Sequence, residues 1–482
     1  MSIPSSRENF RFENWAKTFE CYPASYFSPA SEKEVLEILA AARSKGKKIR
    51  VVGRGHSPSD LHCTAEWMVS IERLNKVLSV NQSRKEVTVQ AGIYLHDLHK
   101  ELDERLWAMP NIGSISEQSI AGAIATCSHG SSMRYGAISE QVVELVLITA
   151  NGETISCSQH QNSTIFKAAL VHLGALGVIV RVTLRVVDKF NLRQINTIAT
   201  INEMLEIWEA GELWTSAEYV RCWWFPYSER VCISRLNQTK QQPFRSSRWL
   251  SLENIAFQTF QSLLYATRFI PSLIPALEKI SFRASYGWKS GSSTTPLTEK
   301  SYQAMNMNCL YLQYVDEWSI PISNGPEAIR RLNSWIKGDA KTAGLPFDPK
   351  NVYVHAPIEI RVGKPDDAYL STSGGVEVCW IGVIMYKPYN ASIPYRTYFK
   401  AFEALMRSLG GRPHWAKEHC LGKKDLQKIY PKLDTWLEVR NRLDPDEMFA
   451  NEYIRRHLLE ENDETEIRER QRKFKRLRLS KI

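Results

Sequence analysis

The sequence predicts an α+β chain of two domains, and three observations carry that prediction. Helical and strand-like spacings mix over the first 188 residues without βαβ repeats. The dipeptide Asn151-Gly152 separates two apolar runs, the strongest short-range mark of a β-hairpin. From about residue 190 the glycine-rich turns give way to a region where Trp208, Trp214, Trp223 and Trp224 are concentrated. At 482 residues the chain exceeds one compact domain, and its 43% apolar content suffices for sizeable cores.

Pro29 to Lys48 reads as a helix entered through Ser31, with Glu32 and Glu34 in its first turn and lysines at its end. Those charges agree with the helix dipole, and Val35, Ile38, Leu39 and Ala42 share one face. The helix leads to Val51-Val52, the end of a short buried strand, and then to Gly53-Arg54-Gly55-His56-Ser57-Pro58. Glycines in such a turn let consecutive N–H groups approach phosphate oxygens, although taken alone the stretch reads first as an ordinary strand-to-loop turn whose histidine bonds the backbone. No third glycine follows and Pro58 stops a helix, which excludes a Rossmann fingerprint; a P-loop would need a Lys-Ser/Thr pair. Met68 to Ile71 and Glu86 to Ala91 alternate like strands, and Leu95 to Leu106 returns to helical spacing.

Residues 109 to 136 form a second glycine- and serine-rich region with few charges. Its many small donors suit an extended polyphosphate or a flat ring system. The Asn151-Gly152 hairpin follows, and then Val178 to Val186, which alternates as a half-exposed strand.

Net charge is +10, which invites a nucleic-acid reading, but eight Lys/Arg against the single Glu469 put +7 of it between Arg468 and Lys481. The rest of the chain is near neutral, so nucleic acid is not the expected partner. The segment after Leu458 is expected to be a solvated, frayed tail that can be helical, with adhesion to an anionic membrane as the weaker alternative. The nine scattered cysteines form no CxxC or Cys/His cluster, which favours a reducing compartment without a metal site. Met1 to Phe19 lacks the apolar core of a secretion signal.

In the second half, Ile255 to Leu277 is the least charged long stretch. Its polar residues and prolines rule out a membrane-spanning helix, which leaves an interfacial helix or a buried or partner-facing hairpin. Alternation within Val354 to Val362 places Glu359 and Arg361 on one strand face, where they could flank a ligand or form an ordinary surface pair. Gly410 to Lys417 then packs His414, Trp415 and Lys417 together after a glycine turn, and Asp444 to Tyr453 reads as a capped turn and short helix.

The order of these motifs resembles the aldonolactone oxidases, FAD enzymes of the vanillyl-alcohol-oxidase superfamily, over roughly residues 10 to 458. The Gly-x-Gly-His-Ser-Pro turn and the Pro-His-Trp-Ala-Lys loop are its most specific marks. The resemblance implies a PCMH-type FAD-binding domain over residues 1–188 and an inserted substrate (cap) domain over 189–430. Residues 431–458 would complete the FAD domain, with the charged tail at 459–482. It implies that Gly53, Arg54, Gly55, His56 and Ser57 wrap the FAD pyrophosphate, with His56 tied covalently to the flavin. Arg54 stands where the family more often has a small residue. Gly113, Ser114, Ser116, Gln118, Gly122, Ser128, His129 and Gly130 fall in the second flavin-contacting segment, and Ile179 lies at the adenine. Glu359, Arg361, Lys417 and His414 are the implied catalytic set, with Ser114, Glu359, Arg361 and Lys417 holding the substrate. No metal is implied.

The expected reaction is oxidation of an aldono-1,4-lactone (D-arabinono-, with L-galactono- and L-gulono-1,4-lactone accepted) by O2, giving H2O2 and an ascorbate-type ene-diol. Gly113 would leave space for O2, which favours an oxidase over a dehydrogenase. An alditol oxidase and a non-catalytic membrane module are the rival readings; the long tryptophan-rich middle disfavours the first and the joint presence of His56, Glu359, Arg361 and Lys417 the second. The expected location is intracellular and membrane-associated, mitochondrial or reticular.

Overall fold

The computed structural model describes residues 4–243, 249–307 and 311–475. In the N-terminal part, β1 (Ser25–Phe27) leads through α1 (Glu32–Ser44) to β2 (Ile49–Val52), and β3 (Trp67–Ser70) inserts between the two strands, parallel to both. Ser31 caps α1 by accepting from the Glu34 N–H, and the four predicted apolar residues of α1 are buried. This small parallel layer departs from the expectation of sheets without βαβ units. Its strands have three or four residues, too few to register as parallel runs.

Beside it lies an antiparallel sheet of five strands, built from β4 (Val77–Asn81), β5 (Glu86–Gln90), β6 (Val142–Ile148), β7 (Thr154–Ser158) and β8 (Val178–Arg185) in the order β7-β6-β8-β5-β4. The Asn-Gly hairpin joins β6 to β7 as expected, with Gly152 at φ 83°. Between β5 and β6 run α2 (Leu95–Glu104) and α3 (Ile120–Ala125).

Residues 191–413 build an eight-stranded antiparallel sheet. Its strands are β9 (Asn191–Thr200), β10 (Tyr219–Phe225), β11 (Arg230–Thr239), β12 (Leu297–Lys300), β13 (Gln313–Pro321), β14 (Ile358–Gly363), β15 (Val378–Tyr386) and β16 (Arg412–Pro413), in the order β12-β9-β11-β10-β14-β15-β13-β16. One face carries Trp318, Trp224 and other apolar side chains against helices over Gly325–Ile336 and Arg396–Ser408. The other face carries the charged residues and turns toward the loops of the N-terminal part, where the Ser131 hydroxyl donates to the Val220 carbonyl.

The stretch Ile255 to Leu277 lies in a helical hairpin, Trp249–Ala266 and Ile274–Tyr286, joined through a short turn. Leu263, Phe269, Ile270, Leu273 and Ile280 are exposed on it. Among the described residues no helix is long and apolar enough to cross a membrane.

After the cap sheet the chain returns to the first domain. Trp436 Nε1 donates to the Ala168 and Val171 carbonyls, and the Ile49 N–H donates to Met448 O, 2.7 Å away. Arg456 grips Asp60 with both guanidinium nitrogens, and neither side chain is exposed. The following segment corrects the expectation of a solvated tail. Residues Glu464–Gln471 form a helix with a capping box at Asp463 and Glu466. Arg468 pairs with Glu403 at 3.1 Å, Lys475 with Glu418 at 2.9 Å, and Phe474 is buried. Carboxylates far away in sequence absorb the basic charge, so charge density alone misread the segment. Residues 476–482 lie outside the described part.

Asp60→Ala strands a buried guanidinium and should cost about 3–5 kcal/mol of stability, read from urea unfolding. A loss below about 1 kcal/mol would show that the Asp60–Arg456 pair does not hold the C-terminal segment in place.

Candidate active site

The turn after β2 is braced from the N-terminal loop. The Trp15 N–H donates to Gly55 O (2.9 Å), the Asn14 side-chain amide donates to Ser57 O (3.0 Å), and the Trp15 ring stacks on His56. Gly55 has φ +72°, and a Cβ there would stand 2.9 Å from the Phe12 ring, so both backbone shape and space require glycine. The turn opens into a cavity. Gly53, Arg54, Gly55, His56, Ser57, Gln118, Gly122 and Ile179 all line it, so eight of the expected cofactor residues converge there.

The donor set suits an anionic, ring-bearing ligand. Arg50 is buried in the lining, bonded only to the Leu173 and Gly174 carbonyls, and pairs with no carboxylate among the described residues. The backbone of the glycine turn adds N–H groups. His56 Nδ1 is buried without a hydrogen-bond partner among the described residues. Burial, with Arg54 and Lys417 adding, pushes the His56 pKa down to about 4, so the imidazole is neutral near pH 7 and keeps a free lone pair. These features fit FAD. The Arg54 side chain, at the cavity lining, is exposed, 3.9 Å from Glu72 and over the Tyr94 ring.

The other predicted residues gather beneath the polar face of the cap sheet. Register places Glu359 opposite Trp223 on one side and Gly382 on the other, with Glu317 beyond the glycine. Arg361, two residues along, projects from the same face and bonds Glu317. Its Nη1 reaches Ser114 Oγ (3.4 Å) and His129 O (3.2 Å), tying the cap to the second glycine-rich segment. Lys417 Nζ lies 3.8 Å from the other Glu317 oxygen. His129 stacks on Trp380 at 3.6 Å and places Nε2 3.4 Å from Glu317. His414 accepts the Ala416 N–H at Nδ1, which leaves its Nε2 as the protonated nitrogen of a neutral ring. Burial, reinforced by Lys417, holds His414 well below the usual histidine range.

Two members escaped the sequence reading. Glu317 is the shared acceptor of the cluster; burial opposes its charge, yet Arg361 and His129 hold its carboxyl well below the ordinary range. Arg221 places Nε 3.3 Å from Glu359, whose other oxygen lies 3.5 Å from Arg361. With neutral histidines, the three cations outweigh the two carboxylates by one charge. His129, Glu317 and His414 have the spacing of a metal triad, but Glu317 already serves a guanidinium and an ammonium.

The remaining expected residues frame the junction. Ser116 accepts from the Asn306 amide, Ser128 from the Gln118 amide at 3.5 Å, and the Met307 N–H donates to Ser114 O at 2.8 Å. Gly130 is forced by space, because a Cβ would fall 2.0 Å from Asn111 Oδ1. Gly113 differs: the nearest atom to its Cβ position is His129 O at 3.6 Å, an ordinary contact.

Comparison with known proteins agrees with this geometry. An FAD binding domain family matches residues 23–158 and the D-arabinono-1,4-lactone oxidase family matches residues 182–457. Mouse L-gulonolactone oxidase is 37% identical over 92% of this chain and 97% of its own. A putative D-arabinono-1,4-lactone oxidase of Neurospora crassa is 38% identical over 92% of this chain and 85% of its own. Among solved structures, cholesterol oxidase from Brevibacterium sterolicum aligns with TM-score 0.74 at 16% identity, covering 94% of this chain and 97% of its own. Xylooligosaccharide oxidase from Myceliophthora thermophila aligns with TM-score 0.66 at 13% identity, covering 91% and 92%. At such identities these two establish the fold alone. With sequence relatives matched over nearly their whole length, the chain belongs to the D-arabinono-1,4-lactone oxidase family of FAD-dependent aldonolactone oxidases.

Proposed function

We propose that this chain oxidises an aldono-1,4-lactone at its C2 hydroxyl and passes the electrons to O2, giving H2O2 and a 2-keto lactone that enolises to an ascorbate-type ene-diol. The observation that carries the reading is the convergence of Arg361, Lys417 and Glu359 around Glu317, with Lys417 also close enough to His56 to depress its basicity. FAD supplies the hydride acceptor when bound. The chain's own residues do the rest. Arg361 and Lys417 stabilise the alkoxide that forms as the hydroxyl proton leaves. Glu359 orients the lactone hydroxyls or accepts that proton, and the His414 Nε2–H donates to a substrate oxygen. Glu317 fixes both cations so that little rearrangement accompanies charge development. Ser114, bonded to Arg361, completes the lactone contacts.

The test separates the two halves of the reaction. Under anaerobic conditions D-arabinono-, L-galactono- or L-gulono-1,4-lactone should bleach the flavin, and xylitol should not; bleaching by xylitol alone would move the chain to the alditol oxidases. A Cβ at Gly113 would meet only His129 O, at an ordinary 3.6 Å, so Gly113→Ala is accommodated by the fold and should slow reoxidation by O2 roughly tenfold or more while sparing reduction by lactone. Equal O2 reactivity in the two proteins would remove the gating role.

We assign the covalent link to His56, supported by its orphaned Nδ1 and neutral imidazole. Acid-precipitated protein should keep its flavin colour, and His56→Ala should release the flavin to the supernatant. Release from the unaltered protein would sink the assignment.

Peripheral membrane contact is supported by Phe269, Ile270 and Leu273, exposed together between the hairpin helices. The eight buried cysteine thiols among the described residues, none disulfide-bonded, support a reducing intracellular compartment. Phe269→Asp with Leu273→Asp should abolish flotation with phospholipid vesicles; a chain that never floats has no such contact.

A further inference from the structure

A second cavity lies beneath β9, β10 and β11 on the polar face of the cap sheet. It begins where the catalytic cluster ends. Arg221 lines it and also touches Glu359 at 3.3 Å, so one guanidinium stands at the junction of the two spaces. Register carries the polar face onward from there: Arg221 pairs with Ser234, and Ser234 with Asn196. The far side is closed by Met305, Asn306 and Met307, which also meet the Ser114–Ser116 loop.

The lining reads as a carbohydrate surface. Ser234 Oγ and the Gln194 amide both donate to Asn196 Oδ1, at 2.6 and 2.9 Å. That fixes the amide and leaves Asn196 Nδ2 as a donor for a guest. Asn306 Oδ1 is buried with no partner among the described residues, an acceptor awaiting a hydroxyl. Trp223 and Tyr286 add aromatic surface for C–H faces. A five-membered lactone ring held at Glu359 and Arg361 has one substituent long enough to leave that cluster, its exocyclic hydroxylated chain.

We propose that this cavity receives the exocyclic polyol chain of the lactone, and that Arg221, Asn196, Ser234 and Asn306 set the preferred chain length. The inference rests on the assignment of Glu359 and Arg361 to the lactone ring, and the experiment keeps the two apart. Erythrono-, arabinono-, gulono- and a heptono-1,4-lactone carry zero, one, two and three exocyclic carbons. Flavin reduction should show kcat/KM about tenfold or more higher for the two longest than for erythronolactone. Ser234→Leu, which fills the cavity, and Asn196→Ala, which removes its donor, should each erase about tenfold of that preference and leave erythronolactone within about twofold. Binding gives an independent readout. 2-Deoxy-1,4-lactones, which lack the hydroxyl that is oxidised, should raise the melting temperature of the unaltered protein more with a six-carbon than a five-carbon skeleton, and Ser234→Leu should abolish the difference. Equal losses on all four lactones, or no chain-length preference in the unaltered protein, would overturn the inference while leaving lactone oxidation intact. If no lactone of any length reduced the flavin, the functional reading would fall, and this inference with it.

Discussion

The site depends on one buried carboxylate. Glu317 binds Arg361 through one oxygen and faces Lys417 with the other, with His129 beside the first. Without it, Arg361 and Lys417 would repel each other in a medium too poor in water to screen them. The three cations come from β10, β14 and the loop after β16, segments distant in sequence. Glu317 lets two of them share a small volume, and Glu359 does the same for Arg221 and Arg361. Gly382 lies between the two carboxylates in the sheet register, with the Glu317 side chain 3.9 Å from where its Cβ would stand. The polar face is thus a charge lattice in which each cation is held by a neighbouring acid, with one positive charge in excess.

Much of this was legible in the chain. The turn Gly53 to Ser57 announces close approach to a ligand, because glycine spacing and Pro58 fix both its shape and its end. The hairpin at Asn151-Gly152 and the capped helix at Ser31 are local events, specified by neighbours within a few residues. Glu359 and Arg361 were legible as a same-face pair, but the resemblance supplied their role. Glu317 and Arg221 were not legible. Each sits in a strand where a polar residue among aromatics looks like an ordinary exposed position, and only the pairing of strands far apart in sequence buries them. Local charge counting likewise misplaced the segment after Leu458, since Glu403 and Glu418, which neutralise Arg468 and Lys475, lie some fifty residues or more away.

The two domains divide the chemistry by the kind of surface each can make. Short loops at the edge of the N-terminal domain offer backbone N–H groups and glycine-sized spaces, which suit a diphosphate and a flat ring. The cap offers a sheet whose side chains alternate, so one face can gather the charged and polar groups while the other is packed with tryptophan, isoleucine and valine against helices. Ser114 and His129, bonded to Arg361, are the pins that hold one surface over the other.

The clasp between Asp60 and Arg456 also bears on how the molecule is made. The two residues are 396 positions apart, so the pocket begun by the turn at Gly53 lacks its closing contact while nearly all the remaining chain is synthesised. At ribosomal rates of about 5–20 residues per second that interval is roughly 20–80 s. Lys417 joins the cluster only near the end of the same interval. A nascent chain therefore carries an open cradle with no catalytic charge above it. The cofactor cavity is lined by residues from the first 179 positions alone, so it is the charge cluster that accepts the substrate, completed by Lys417, that belongs to the finished polypeptide.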